Sequence, residues 1–225
     1  KAPKAIVIYP SPPDTASIQF LTKITYSTDL AKKQNWFKKY LLGEEVAMPI
    51  SKPYGIAIKK GKIYICDMQV QGLEIIDLEK GGFEYFIPSG KGQLKQPLNC
   101  AVDDKGYLYV TDIKRLEIVV FDDKGNYVNS FGEKEKFKPT DVFIYDNKIW
   151  VANLTGQKIH VYSKDSTNNL LYSIPDTSYG DWDYLYQPTN LCVNNEKVCV
   201  SDFGDFRMKL FTHDGKFLDT LGSNG

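Results

Sequence analysis

The sequence predicts an all-β chain built as a β-propeller, in which four-stranded antiparallel blades stand side by side around an axis. Two observations predict it. Four segments open alike, Pro53–Ile58 (PYGIAI), Pro97–Val102 (PLNCAV), Pro139–Ile144 (PTDVFI) and Pro188–Val193 (PTNLCV), at spacings of 44, 42 and 49 residues. Each is followed by a turn and a second apolar run that ends in a carboxylate or amide: Ile63–Asp67, Leu108–Asp112, Ile149–Asn153 and Val198–Asp202. A unit of four short strands every ~40–50 residues is the blade of a propeller, and a blade covers its faces only by packing on its neighbours.

The other elements follow in order. Ten residues beyond each terminal Asp or Asn stand Asp77, Asp122, Ser163 and Thr212. Between them Leu73/Ile75, Ile118/Val120, Ile159/Val161 and Met208/Leu210 alternate with more polar residues, the period of a strand. A fourth strand closes on glycine, as in Asn126–Gly132 and Lys216–Gly222, after the hairpin signals Asp123-Lys-Gly125 and His213-Asp-Gly215. The propeller repeats thus occupy residues 48–225. The segment 1–47 reads separately, with strands at Ala5–Tyr9 and Ile18–Tyr26. It also carries an amphipathic, lysine-rich helix over Asp29–Leu42, with Thr28 as N-cap and Gly43 as stop.

Composition narrows the function classes. Acidic and basic residues balance at 28 each, and of the basic ones only Arg115 and Arg207 are arginine. A nucleic-acid-binding domain normally carries a basic excess rich in bidentate Arg, so no nucleic-acid partner is expected. No apolar run approaches the ~18 residues of a membrane span. The four cysteines lack the C-x-x-C spacings of metal or haem sites. A two-residue turn at Asn195-Glu196 would set Cys192 opposite Cys199. Two readings stay open for that pair: a cross-strand disulfide, or buried reduced thiols. The two histidines are expected apart from any nucleophile, His213 in a hairpin turn and His160 on the outward phase of its strand, so a Ser-His-Asp site is not expected. The chain reads as non-catalytic.

The opening Pro, the second strand of the Ile-Tyr-Val-Ala-Asp kind and the third strand beginning near Arg207 (Phe206–Phe211) resemble the NHL-repeat propellers. Gly72, Glu117 and Lys158 replace the arginine in the other repeats. The resemblance implies a six-bladed ring, and hence either a chain incomplete at its C-terminus or an open propeller completed by something else. It also implies a non-catalytic scaffold that holds a protein partner. Such a scaffold is expected to be exported, periplasmic or extracellular, as an accessory to a redox system of the multihaem-cytochrome kind. A Ca²⁺-dependent lyase or hydrolase propeller is the alternative, and an RNA-binding NHL domain a weaker one.

Propeller geometry puts the loops joining strand two to three, and strand four to the next strand one, on one face. Recurrent polar residues fall there: Asn99, Asp141 and Asn190 (Gly55 in the first repeat), and Asp67, Asp112, Asn153 and Asp202. They are read either as a ring of hard oxygen ligands, with Asp112, Asp141 and Asp202 as the Ca²⁺ set, or as side chains capping their own turns. No other cofactor is expected. The next residues, Met68, Ile113, Leu154 and Phe203, form an apolar collar or inter-blade packing. The longest repeat adds the loop Asp176–Tyr186, whose Tyr179, Trp182 and Tyr184 are candidate partner anchors.

Overall fold

A computed structural model describes residues 7–10, 13–15, 17–30, 46–132 and 136–222. The chain divides into two compact units, Lys1–Pro49 and Ile50–Gly225. In the first, β1 (Val7–Tyr9) pairs antiparallel with β2 (Ile18–Phe20) in a sheet of their own. A 3-10 turn follows at Ser27–Asp29, and the Asp29 carboxylate accepts the Thr25 and Tyr26 N–H groups. Thr28, expected as a helix cap, lies inside this turn. Residues 31–42 of the expected helix lie outside the described residues.

The second unit is four antiparallel sheets of four strands, each sheet in sequence order. Blade 1 is β3 (Pro53–Lys59), β4 (Lys62–Asp67), β5 (Gly72–Asp77) and β6 (Gly82–Phe86). Blade 2 is β7 (Pro97–Val102), β8 (Leu108–Asp112), β9 (Glu117–Phe121) and β10 (Tyr127–Phe131). Blade 3 is β11 (Pro139–Tyr145), β12 (Lys148–Asn153), β13 (Lys158–Ser163) and β14 (Leu170–Ile174). Blade 4 is β15 (Pro188–Val193), β16 (Val198–Asp202), β17 (Arg207–Phe211) and β18 (Phe217–Leu221). Every first strand starts at the repeat's proline, where the missing N–H is not needed by the ladder. In all four blades the register shifts just after that proline, a bulge that re-aims the residues beside it.

The core lies in the seams between blades. Alternate residues of each strand face opposite neighbours, so β8 and β12 are buried on both sides. Cys66 and Leu73 of blade 1 meet Cys100, Val110, Val119 and Phe121 of blade 2. Tyr109, Ile118 and Val120 meet Val142, Ile149, Val151 and Tyr162 in the next seam. Trp150, Ile159 and Val161 meet Leu191, Val193, Val198, Val200 and Phe211 in the last. Phe121 is fully buried and packs edge-on against Phe86 across the first seam, with ring centroids 5.0 Å apart. Phe121→Ala removes that bridge and leaves a cavity, so chemical denaturation should show a loss of about 3–5 kcal/mol. A loss under about 1 kcal/mol would mean that blades 1 and 2 do not share a core.

Candidate functional site

The Asp or Asn closing each second strand is fully buried and accepts backbone N–H groups. Asp67 accepts N–H bonds from Ser51 and Lys52, before β3, and from Gln69 and Val70, in the β4–β5 loop. Asp112 does the same with Lys95, Gln96, Lys114 and Arg115. Asp202 takes Tyr186 and Gln187, and Asn153 takes Lys138 and Gly156. The N–H of the following residue, Met68, Ile113, Leu154 or Phe203, bonds back to the carbonyl of Lys52, Gln96, Lys138 or Gln187. Each blade thus has its two loops stapled together at this end. Burial pushes the Asp67 carboxyl up, but its backbone donors outweigh that and hold it below its ordinary value. Of the apolar collar only Phe203 is strongly exposed.

Asn99, Asp141 and Asn190 sit in the bulges of the three later inner strands. Asp141, 6% exposed, accepts N–H bonds from Val142 and, across to blade 4, from Leu191, and the Asn190 and Asn99 side chains act on it to lower its pKa. Burial pushes its carboxyl up to about 7, against those donors. The inner strands of blades 1, 2 and 3, with Leu191 of blade 4, line an open-sided space of about 410 Å³ beside these side chains. Gly55 holds the same place in blade 1 because a Cβ there would stand 2.3 Å from the Asn99 Oδ1 and 2.5 Å from the Asn99 Cα. The expected oxygen ring is not assembled: among the described residues no three His, Cys, Asp or Glu groups come together to hold a metal ion, Asp112, Asp141 and Asp202 included. The carboxylates of Asp67, Asp112 and Asp202 serve as loop caps.

The residue facing each staple from the third strand varies with the blade. Glu74, fully buried, lies by Asp67, and burial and then the Asp67 charge push its carboxyl up to about 8. Blade 2 has Val119 there. In blade 3 it is His160, which is buried and not outward, because the outward phase of a central strand meets the next blade. Asn153 Oδ1 accepts two backbone N–H groups, so its Nδ2 donates to His160 Nε2 at 2.8 Å. His160 Nδ1 therefore carries the proton and donates to Ser173 Oγ at 2.6 Å. That tautomer cannot take a proton from Ser173, so Ser173, His160 and Asn153 do not form a nucleophilic triad. The Asn153-Leu-Thr155 glycosylation sequon likewise has its asparagine fully buried.

Blade 4 places Lys209 at this position, fully buried. Its ammonium contacts Asp202 at 3.2 Å and Asp205 at 2.9 Å, donates to the Tyr184 carbonyl and lies 5.3 Å from the Tyr186 ring centroid. These bonds fix the aromatic loop. Leu185 is buried in the seam of blades 3 and 4, and the Tyr184 hydroxyl bonds Gln157. Tyr179, Tyr184 and Tyr186 stack edge to face with centroids 5.1–5.8 Å apart. The β16–β17 loop abuts this cluster so closely that a Cβ at Gly204 would lie 2.6 Å from the Tyr186 Cβ. That loop adds the contacting rings of Phe203 and Phe206. Trp182 folds down the blade onto Phe217. Tyr179, Trp182, Phe203 and Phe206 are nonetheless 80%, 70%, 62% and 71% exposed. Of the expected anchors, Tyr179 and Tyr184 share this surface. Phe206 and the lysine beneath it were missed; an apolar i, i+3 pair flanking Gly204-Asp205 was the available signal.

The fold and this surface define a β-propeller with an aromatic loop patch on one blade. Streptogramin B lyase has a similar fold, with a TM-score of 0.60 and 17% identity over 78% of this chain and 56% of that one. A chain of a nidogen/laminin complex gives 0.62 and 16% over 81% and 70%. Kuenenia stuttgartiensis hydrazine synthase gives 0.59 and 14% over 80% and 51%. The chain spans about half the length of the lyase and of the synthase. At such identities the likeness is one of fold. No protein-family model and no curated protein matches the chain. No helix among the described residues is long and apolar enough to cross a membrane.

Lys209→Met should cost about 3–5 kcal/mol, because it strands two carboxylates by removing their buried partner. Hydrogen exchange should rise across residues 176–187 and 203–206; unchanged exchange there would break the link between Lys209 and the aromatic surface. Glu74 and Asp141 set the pH dependence. Their folded pKa values, about 8 and about 7, lie above the unfolded ones, so the folded chain binds the extra protons and stability falls as pH rises from about 4 to 8. Glu74→Gln should flatten the upper part of that slope in thermal melts. An identical slope in the variant would show that Glu74 ionises normally.

Proposed function

We propose that this chain is a non-catalytic interaction propeller of the NHL type that holds a protein partner through the loop surface of blade 4. The exposed rings of Tyr179, Phe203 and Phe206, fixed on a framework stapled by Asp202 and Lys209, carry the reading. Aromatic groups that stay exposed yet ordered supply large contact area at low entropic cost, which is what partner hot spots use. The nidogen/laminin chain, a propeller neighbour found in a protein complex, supports the same role. Export, and a partner belonging to a redox system, complete the proposal; hydrazine synthase is the neighbour that supports the latter.

The test is recovery of partners from the native source with tagged wild type and with Tyr179→Ala/Phe203→Ala. The substitutions touch exposed rings only, so the melting temperature should stay within about 2 °C, while a specific partner should be lost or weakened at least about 30-fold. Recovery of the same proteins in the same amounts by both would overturn the assignment of this surface.

A further inference from the structure

All four cysteines of the chain fall into two neighbouring pairs, although they are scattered across blades 1, 2 and 4. Cys192 on β15 stands directly opposite Cys199 on β16. Cys66, fully buried on β4, meets Cys100, 4% exposed on β7, in the core between blades 1 and 2. The second pairing bridges two blades, and no spacing in the sequence announces it. Among the described residues neither pair has a third metal-ligating group, which sets them apart from thiolate metal centres. Opposed strand positions hold Cβ atoms ~4.5–5.5 Å apart, at the upper edge of disulfide geometry. Closing the hairpin pair therefore needs only a small inward movement of the two strands.

We propose that these are two disulfide sites, Cys192–Cys199 closing the inner hairpin of blade 4 and Cys66–Cys100 locking blade 1 to blade 2. The oxidant is a small-molecule disulfide of the glutathione kind. The exposed Cys192 attacks it as a thiolate, forming a mixed disulfide and releasing one small thiol. Cys199 then loses its proton and attacks the Cys192 Sγ, releasing the second thiol. Two protein thiols are oxidised and one oxidant disulfide is reduced to two thiols. Burial holds the Cys199 thiol up at about 11, which makes Cys192 the attacking group and Cys199 the resolving one. Cys66 and Cys100 are sealed in the seam, so their bond forms while the blades fold or open. Such bonds persist on the oxidising side of a membrane. They stand or fall independently of the partner surface, which contains no cysteine.

The full chain, reduced, is treated with oxidised glutathione first when folded and then through a cycle of unfolding and refolding. Thiols are counted under denaturing conditions and non-reduced peptides are mapped by mass spectrometry. The folded chain should lose two thiols and yield only the 192–199 linkage; the refolded chain should lose all four and add 66–100. The fully oxidised form should melt roughly 5–15 °C above the reduced one. Cys100→Ser and Cys199→Ser should each leave the other linkage intact. Four titratable thiols after refolding, or linkages that mix the two pairs, would overturn the proposal.

Discussion

Each blade ends its second strand in a buried Asp or Asn that accepts N–H groups of the loop leading into the first strand, and in blades 1 to 3 also of the loop leading to the third strand. The geometry forces this. A propeller blade must turn its chain sharply at the loop end, and the turn leaves backbone N–H groups facing inward with no strand to pair them. One carboxylate with two oxygens satisfies up to four such donors, as Asp67 and Asp112 do. In Asp67 charge-assisted bonds of this kind hold the carboxyl below its ordinary value despite burial. The repeated residue is therefore conserved between blades by the needs of the turn, and a ring of identical acids does not by itself announce a ligand.

A buried negative charge imposes a condition on whatever packs beside it, and the third strand answers differently in each blade. Val119 leaves Asp112 to its backbone donors alone. Glu74 stays protonated beside Asp67, since two carboxylates that close cannot both ionise in a buried site. Blade 3 substitutes the neutral Asn153 and matches it with a neutral imidazole whose tautomer the amide dictates. Blade 4 matches Asp202 with an ammonium, and that choice does more than neutralise. Lys209 also binds Asp205 and the Tyr184 carbonyl, so the charge that balances the staple extends its rigidity into the aromatic loop.

The strand order, the blade limits and the staple positions were legible because they rest on local rules: period-two alternation, an opening proline and turn residues at fixed offsets. The facing of Cys192 and Cys199 was legible for the same reason, a short hairpin with a countable turn, although Cys192 proves exposed where a buried thiol was one of the two readings. What escaped lies between blades. His160 reads as an outward residue on a half-buried strand, but the middle strands of a propeller have a blade on each side and no outward phase. Cys66 and Cys100 meet through the rotation of one sheet against the next, which no spacing encodes. The Ca²⁺ reading of Asp112, Asp141 and Asp202 gains no support from the geometry for a related reason: register placed the residues at one end of the molecule but could not say that their oxygens also accept backbone N–H groups.

The aromatic surface gains its meaning from this framework. Exposed rings on a mobile loop would lose side-chain and backbone entropy on contact with a partner, and much of their contact area would be offset by that ordering. Here the cost is met in folding. Leu185 is sunk in the seam, Tyr184 is tied to Gln157, and the loop carbonyl is bonded to a lysine with no solvent exposure. The rings of Tyr179, Phe203 and Phe206 are left outside this paired framework. A chain that holds large apolar groups in water this firmly spends folding energy on an arrangement that folding alone does not require, and association with a partner is the process that would recover it.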